Sequence, residues 1–244
     1  MILALLLLQA TAPADTPAER YERCIDLAVS DPGKAEAEAA AWRLAGGGFL
    51  ARQCLGMAYT ASNNFNAAAG AFSDAARDAE VAKDARSANY WAQAGNAWLA
   101  AGDPAKARTA IDAALAAGAL KGLALGEAHL DRARAAVAGN DLAGARGDID
   151  KALETAADDP LAWLLSATLA RRGNDLPRAQ TDIAEALKRS PDDASVQLEA
   201  GNIAAAAGDE AGAKRGWQKA ESLAPDSPAG AAARAALSQF TPDK

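Results

Sequence analysis

Two consecutive segments of this chain can be superposed without a gap at a separation of 34 residues. In each segment one alanine precedes a large apolar residue, a second alanine follows it, and a proline comes after the segment. The matched pairs are Ala179 and Ala213, Ile183 and Trp217, Ala186 and Ala220, and Pro191 and Pro225. Small residues at fixed places let two helices approach closely, and a period of this length is typical of helical hairpins. The period therefore predicts a stack of similar hairpins.

The composition agrees with a helical chain. Half of the residues are apolar, only 5% are aromatic, and Ala, Leu, Glu, Arg and Lys are abundant, which favours helix over strand. The net charge is −7, and basic residues are interleaved with acidic ones. Phosphate groups attract clustered lysine and arginine, so this pattern argues against nucleic acid as a partner. We expect an acidic, all-α protein.

The repeat pattern extends upstream of the two matched segments. The first regular unit has Leu55, Gly56 and Tyr59 on its first helix, and the second unit has Gly95 between two tryptophans. Counted from the start of a unit, small residues stand at positions 8, 20 and 27, and position 24 is large and apolar. The third unit departs from the pattern, because Arg132 stands at a usually apolar position. The predicted units are 49–82, 88–121, 126–159, 160–193 and 194–227, with insertions near residues 83–87 and 122–125.

This pattern resembles the tetratricopeptide repeat, or TPR. The resemblance covers about residues 48–226 and rests on several units rather than one. It implies a right-handed α-solenoid in which the first helix of each unit lines the concave side. Residues 15–48 are then a degenerate N-terminal helical hairpin, and residues 228–244 are a capping helix and tail at the end of the stack.

The N-terminus predicts export from a bacterial cell. An uninterrupted apolar run, residues 1–8, precedes Ala12 and Ala14, which stand where a signal peptidase cutting after residue 14 requires small residues. No lysine or arginine precedes the run, and the alternative is a buried helical turn of a cytoplasmic protein. The run is too short for a membrane span, which needs about 20 apolar residues. We predict a signal peptide over residues 1–14, a periplasmic or secreted protein, and no integral membrane span.

Cys24 and Cys54 are the two cysteines of the chain. First helices of adjacent hairpins lie side by side in a helical solenoid, so the two side chains can meet. In an exported protein this pair favours a disulfide, whereas in a cytoplasmic protein both would be small buried apolar residues. The sequence leaves both interpretations open.

Enzymatic chemistry has no support in the sequence. His129 is the single histidine, so neither a histidine-based triad nor a multi-histidine metal site can be assembled. The acidic residues that recur in the turns, such as Asp103 and Asp141, are typical helix caps rather than catalytic pairs. We predict no catalytic residues, no metal, no cofactor and no small-molecule substrate.

The TPR resemblance nominates a binding surface. Residues at positions 2, 5, 9 and 12 of each first helix face the concave side in such proteins. The candidate partner-binding residues are Gln53, Met57, Asn96, Leu99, Leu130, Arg134, Leu164, Thr168, Arg171, Leu198 and Asn202. An asparagine after the glycine at position 8, as at Asn96 and Asn202, can pair with a peptide amide. Arg134 and Arg171 favour a partner with some acidic character.

The resemblance implies a non-catalytic adaptor that holds a peptide or a helical segment of a protein partner in its groove. The alternative is a structural or assembly component of a larger envelope or secretion complex, in which the ends or the convex face make the contacts. Short peptides that compete for the partner would favour the first hypothesis.

Overall fold

The computed structural model of the chain describes residues 15–240. The predicted signal peptide, residues 1–14, and the last four residues of the predicted tail lie outside this range. Thirteen α-helices and no strand are found within it. They are α1 (Pro17–Ser30), α2 (Pro32–Leu44), α3 (Gly48–Ala61), α4 (Phe65–Val81), α5 (Ser87–Ala100), α6 (Pro104–Ala116), α7 (Gly122–Ala138), α8 (Leu142–Thr155), α9 (Pro160–Arg172), α10 (Leu176–Arg189), α11 (Ala194–Ala206), α12 (Glu210–Leu223) and α13 (Pro228–Phe240).

The helices form consecutive hairpins, and each hairpin packs on the next one. The second helix of a hairpin lies against its own first helix and against the first helix of the following hairpin, as α4 lies between α3 and α5. First helices also contact one another in the pairs α1 and α3, α5 and α7, and α9 and α11. The last helix, α13, packs on α11 and α12. This arrangement confirms the predicted all-α solenoid with a capping helix.

The core is built from small residues that let helices approach closely. A Cβ atom added at Gly56 would lie 2.5–2.8 Å from the ring of Phe72, and one added at Gly201 would lie 2.5 Å from Cδ1 of Trp217. Gly95 faces Ile111 in the same way. In each case the glycine at position 8 makes room for the large residue at position 24. The signature residues are therefore packing residues, as the sequence indicated.

Most of the turns within hairpins repeat one chemical solution. A residue in the left-handed region ends the first helix, and it is Gly102 (φ 79°) in one hairpin and Asn140 (φ 62°) in the next. An aspartate then caps the second helix: the Asp103 carboxylate accepts the N–H of Lys106 at 3.0 Å. Asp141, Asp175 and Asp209 accept corresponding N–H groups at 2.8–3.2 Å. These contacts confirm the predicted capping role.

Residues 122–125, predicted as an insertion, lengthen helix α7, whereas most of the other predicted insertion, residues 83–87, lies in the turn between α4 and α5. Helix α4 has 17 residues and runs to Val81, and α7 has 17 residues and begins at Gly122 rather than at residue 126. The extra turn at the start of α7 includes Leu123, which is 56% exposed, and Ala124. Both long helices belong to the half of the stack that forms the cavity described below.

Arg132 interrupts the apolar pattern because it belongs to a buried ionic cluster. Its guanidinium donates to both oxygens of Asp148, at 2.6 and 2.8 Å, and to Asp112 at 2.8 Å. His129 Nδ1 lies 3.1 Å from Asp148 Oδ1. Burial acts to raise the pKa of Asp148, but the hydrogen bonds from Arg132 and His129 outweigh it, and the pKa lies below its usual value.

A second polar cluster, partly buried, joins the hairpin α7–α8 to the hairpin α9–α10. Asp182, 34 residues after Asp148, accepts the hydroxyl of Ser166. Arg146 of α8 donates to the same hydroxyl at 2.9 Å, and Arg178 of α10 donates to Asp150 of α8 at 2.6 Å. Burial lowers the pKa of Arg146. These polar contacts connect α8, α9 and α10 beside the apolar cluster that contains Ile149 of α8 and Leu169 of α9.

Cys24 of α1 and Cys54 of α3 are fully buried and adjacent. Their Cα atoms are 6.0 Å apart, which lies within the range of native disulfides, and the two sulfur atoms are joined. This geometry favours the disulfide over the alternative of two separate thiols. We retain the bridge as a proposal, which thiol titration tests.

Candidate functional site

A large open cavity lies along the first helices of the N-terminal half. Its volume is about 510 Å³. The wall comes from four helices: α1 gives Tyr21, α3 gives Leu50 and Gln53, and α5 and α7 give most of the rest. We call this cavity the groove.

Helix α5 places a row of amide side chains along the groove. Asn89, Gln93 and Asn96 are spaced by four and three residues, so they lie on one face of the helix. Gln53 of α3 joins the row, since its Nε2 donates to Oε1 of Gln93 at 3.4 Å. Each amide carries both a donor and an acceptor. The row can therefore pair with the main chain of a segment laid along α5.

Carboxylates dominate the α7 side of the groove. Glu127 and Asp131 line it, and they also line an adjoining pocket of about 280 Å³ together with Asp159 and Leu161. Asp131 accepts from Asn96 Nδ2 at 3.0 Å and from Arg134 at 2.8 Å. Burial, and then the charges of Asp159 and Asp131, raise the pKa of Glu127. The site thus has an excess of negative charge.

Tyr90 lines the groove beneath the amide row. Its side chain is only 2% exposed, its ring packs against Phe49 with centroids 5.9 Å apart, and its hydroxyl has no hydrogen-bond partner among residues 15–240. The guanidinium of Arg86 lies over the ring of Phe49. It also donates to both carboxylate oxygens of Asp84, at 2.6 and 2.9 Å, and these hydrogen bonds lower the pKa of Asp84 to about 2. Burial raises the pKa of Tyr90, so the hydroxyl remains protonated at neutral pH.

The nominated residues are divided among three neighbouring pockets and the hydrophobic core. Gln53 and Asn96 line the groove, and Leu130 and Arg134 line the adjoining pocket, although Leu130 is only 2% exposed. Thr168 lines a crevice of about 170 Å³ between α7, α8 and α9, and Arg134 lines both this crevice and the adjoining pocket. The remaining apolar candidates pack against hydrophobic clusters: Met57, Leu99, Leu164 and Leu198.

Arg171 and Asn202 are held by partners within the chain. Arg171 of α9 donates to both oxygens of Glu199, at 2.7 and 3.1 Å, and Glu199 is only 6% exposed. Asn202 donates to Glu199 at 3.2 Å and accepts from Nε1 of Trp217 at 3.0 Å. Arg134 is also paired, with Asp131. The two arginines from which an acidic partner was inferred, Arg134 and Arg171, are therefore both already bound to carboxylates of the chain.

Several residues of the groove were not nominated from the sequence. Asn89, Glu127 and Leu161 stand at position 2 of their units, so the rule that gave the other candidates could have found them. Gln93 and Asp131 stand at position 6, outside that rule. Tyr90 gave no signal, because a buried tyrosine in a repeat is usually a packing residue.

No group of three or more His, Cys, Asp or Glu side chains between residues 15 and 240 could hold a metal ion. In the same range, no helix has the length and apolar character needed to cross a membrane.

Comparison with solved structures identifies the architecture. The chain superposes on PilW, a widely conserved type IV pilus biogenesis factor, with a TM-score of 0.73 and 17% identity over 92% of this chain and 100% of that one. It superposes on PilF of Pseudomonas aeruginosa with a TM-score of 0.69 and 15% identity, over 90% and 99%. YrrB, a TPR protein with an unusual peptide-binding site, gives a TM-score of 0.57 and 18% identity, over 82% and 96%.

The fold is a TPR solenoid. At these identities the likeness establishes the architecture alone. No protein-family model matches the chain, and no curated protein matches it. The structures that share the TPR solenoid therefore bring no site residue to this chain, and its groove has to be interpreted from its own side chains.

Proposed function

We propose that the protein is a non-catalytic interaction scaffold that binds a peptide or a helical segment of a protein partner in the groove. The observation that carries the proposal is the amide row of Gln53, Asn89, Gln93 and Asn96 on the wall of a cavity of about 510 Å³. Such side chains recognise main-chain groups of a ligand whatever its sequence. The peptide-binding site of YrrB is an analogy on a shared fold.

The proposal is tested by selecting random displayed peptides on the full chain. Peptides that bind the wild type and lose binding to the variant Asn89→Ala/Gln93→Ala support the groove. Equal binding to both proteins would place the interaction elsewhere. Circular dichroism serves as the control, because both replaced residues lie at the surface and the variant should keep its helical content.

A role in assembling a larger envelope or secretion complex is the second candidate. Its support is the likeness to PilW, a type IV pilus biogenesis factor, and to PilF, both of which this chain matches over almost their whole lengths. In this role the partner would contact the ends or the outer face of the stack. A partner that binds the Asn89→Ala/Gln93→Ala variant as well as the wild type, and that no selected peptide displaces, would favour it.

We also propose that the protein is exported to the periplasm or secreted. The support is the apolar run of residues 1–8 with Ala12 and Ala14, and the adjacency of Cys24 and Cys54, which suits an oxidising compartment. The intact mass of protein from the native host tests this. A chain that retains Met1 in the cytoplasmic fraction would contradict export.

A further inference from the structure

The groove contains negative charge that the chain does not neutralise. Glu127 and Asp159 form no ion pair among the residues that the structure describes. The two arginines that line the groove and the adjoining pocket, Arg86 and Arg134, are already paired, with Asp84 and Asp131. Asp159 uses one oxygen to cap α9, accepting the N–H of Leu161 at 2.9 Å. Three carboxylates that face a shared space repel one another, and a cation between them would remove the repulsion.

Tyr90 is an independent sign that the groove has an occupant. A buried hydroxyl without a hydrogen-bond partner is rare in folded proteins, because its desolvation is not compensated. Here the hydroxyl belongs to a residue that lines the same cavity as Glu127 and Asp131. Since Tyr90 keeps its proton, it can donate to a carbonyl oxygen of a ligand as well as accept from an N–H group.

The amide row fixes the form of the ligand. Asn89 and Asn96 are separated by seven residues of helix, which at 1.5 Å per residue is about 10 Å. An extended chain covers that distance with about three residues at roughly 3.3 Å each. The row ends at Asn96, which is bonded to Asp131, so it leads directly to the carboxylates.

We propose that the groove binds an extended peptide segment with a lysine or arginine side chain whose cation lies between Glu127, Asp131 and Asp159. The main chain of the segment runs along Asn89, Gln93 and Asn96, and one of its polar groups meets the hydroxyl of Tyr90. This inference rests on the proposed function, since it names the chemistry of the ligand that the scaffold holds. It replaces the acidic partner inferred from Arg134 and Arg171, because the cations of those two residues are already paired.

The test uses the peptides selected on the full oxidised chain. We expect them to be enriched in lysine and arginine relative to the library. One selected peptide and the same peptide with its basic residue replaced by glutamine are then titrated by calorimetry into the wild type, Glu127→Gln and Glu154→Gln. Glu154, an exposed residue of α8, is the matched control, because its replacement removes the same charge outside the groove.

We expect Glu127→Gln to weaken binding of the basic peptide by more than about threefold, and Glu154→Gln to change it by less than that. The glutamine peptide should bind the wild type and Glu127→Gln alike. Selected peptides without basic enrichment, or a change below threefold at Glu127, would overturn the cation subsite. In those cases peptide binding in the groove is still supported if Asn89→Ala/Gln93→Ala abolishes binding. Binding that survives this variant would overturn the proposed function as well.

Discussion

A close approach of two helix backbones makes Gly216 a sharp test of how the repeats pack. A Cβ atom at this position would lie 2.7 Å from the backbone N of Gly201, 2.8 Å from its Cα and 2.9 Å from the carbonyl oxygen of Gln197. Ordinary contacts of a Cβ atom begin at 3.4 Å. Backbone atoms cannot rotate away as a side-chain end can. The substitution Gly216→Ala therefore has to push α12 from α11 by about 0.5–0.7 Å.

The size of the effect follows from two opposing terms. Replacing glycine by alanine within a helix stabilises by about 0.5–1 kcal/mol. Overpacking of a close-packed contact costs about 1–3 kcal/mol. Gly147 of α8 isolates the first term, since a Cβ atom added there would meet no neighbouring atom within 4 Å. We expect Gly147→Ala to stabilise and Gly216→Ala to destabilise, with a difference of about 1–3 kcal/mol, because helix propensity cancels between them.

The assay has to report local stability, because each hairpin contacts mainly its neighbours and a repeat stack need not unfold as one unit. Urea unfolding followed by circular dichroism gives the overall change, and native-state hydrogen exchange of the amides of α11 and α12 gives the local one. Faster exchange confined to these helices is the expected result for Gly216→Ala. If the two variants differed by less than about 0.5 kcal/mol, or if Gly216→Ala gained stability, the backbone contact would not limit packing.

Three further predictions concern other parts of the stack. Tyr90→Phe should raise the free energy of unfolding of the unliganded protein by about 1 kcal/mol, because it removes a buried hydroxyl without a partner; a lower melting temperature would show that the hydroxyl is satisfied. Asp148→Asn should lower stability at pH 7 by about 1–3 kcal/mol. Since folding depresses the pKa of Asp148, its contribution is present above the unfolded pKa of about 3.9 and is lost as the pH falls through the folded value, so urea midpoints of the two proteins should converge below pH 4. Thiol titration of the unreduced, unfolded protein should find no free thiol, and Cys24→Ser/Cys54→Ser should cost about 2–4 kcal/mol; two free thiols would exclude the bridge.

The fold could be predicted from the sequence because its determinants are local and repeated. Gly201 and Trp217 stand at positions 8 and 24 of one unit, and their contact recurs between Gly56 and Phe72. The caps recur for the same reason, since each aspartate bonds an N–H group two or three residues ahead. A contact that depends only on register within a hairpin can be inferred wherever that register is visible.

The candidate site was less predictable because its pairings cross between hairpins. Asp131 bonds Asn96 over a separation of 35 residues, and Arg171 bonds Glu199 over 28. The position rule shows which residues point inward, but it does not show which of them another hairpin already binds. Arg132 illustrates the same limit, since its interruption of the apolar pattern has a reason only when Asp148 and Asp112 are seen beside it.

The two halves of the inner side therefore differ in what a ligand would have to displace. On α9 and α11, Arg171 and Asn202 are bonded to Glu199, which is buried, so a peptide would have to break a formed cluster before it gained a contact. On α5 and α7, Asn96 is bonded to Asp131, but the hydroxyl of Tyr90 and the carboxylate of Glu127 have no partner among residues 15–240 that a ligand would need to remove.

Binding energy is consequently available in the N-terminal half, where one wall of the groove is Tyr21 of α1. Helix α1 is the first helix that the structure describes, and its close contacts within the described residues are with α2 and α3. The proposed bridge from Cys24 to Cys54 would hold α1 against α3, and Gln53, the neighbour of Cys54, lies in the amide row. A crosslink at this place restrains the terminal helix that would otherwise fray most easily, and so it keeps the wall of the groove in position before a ligand arrives.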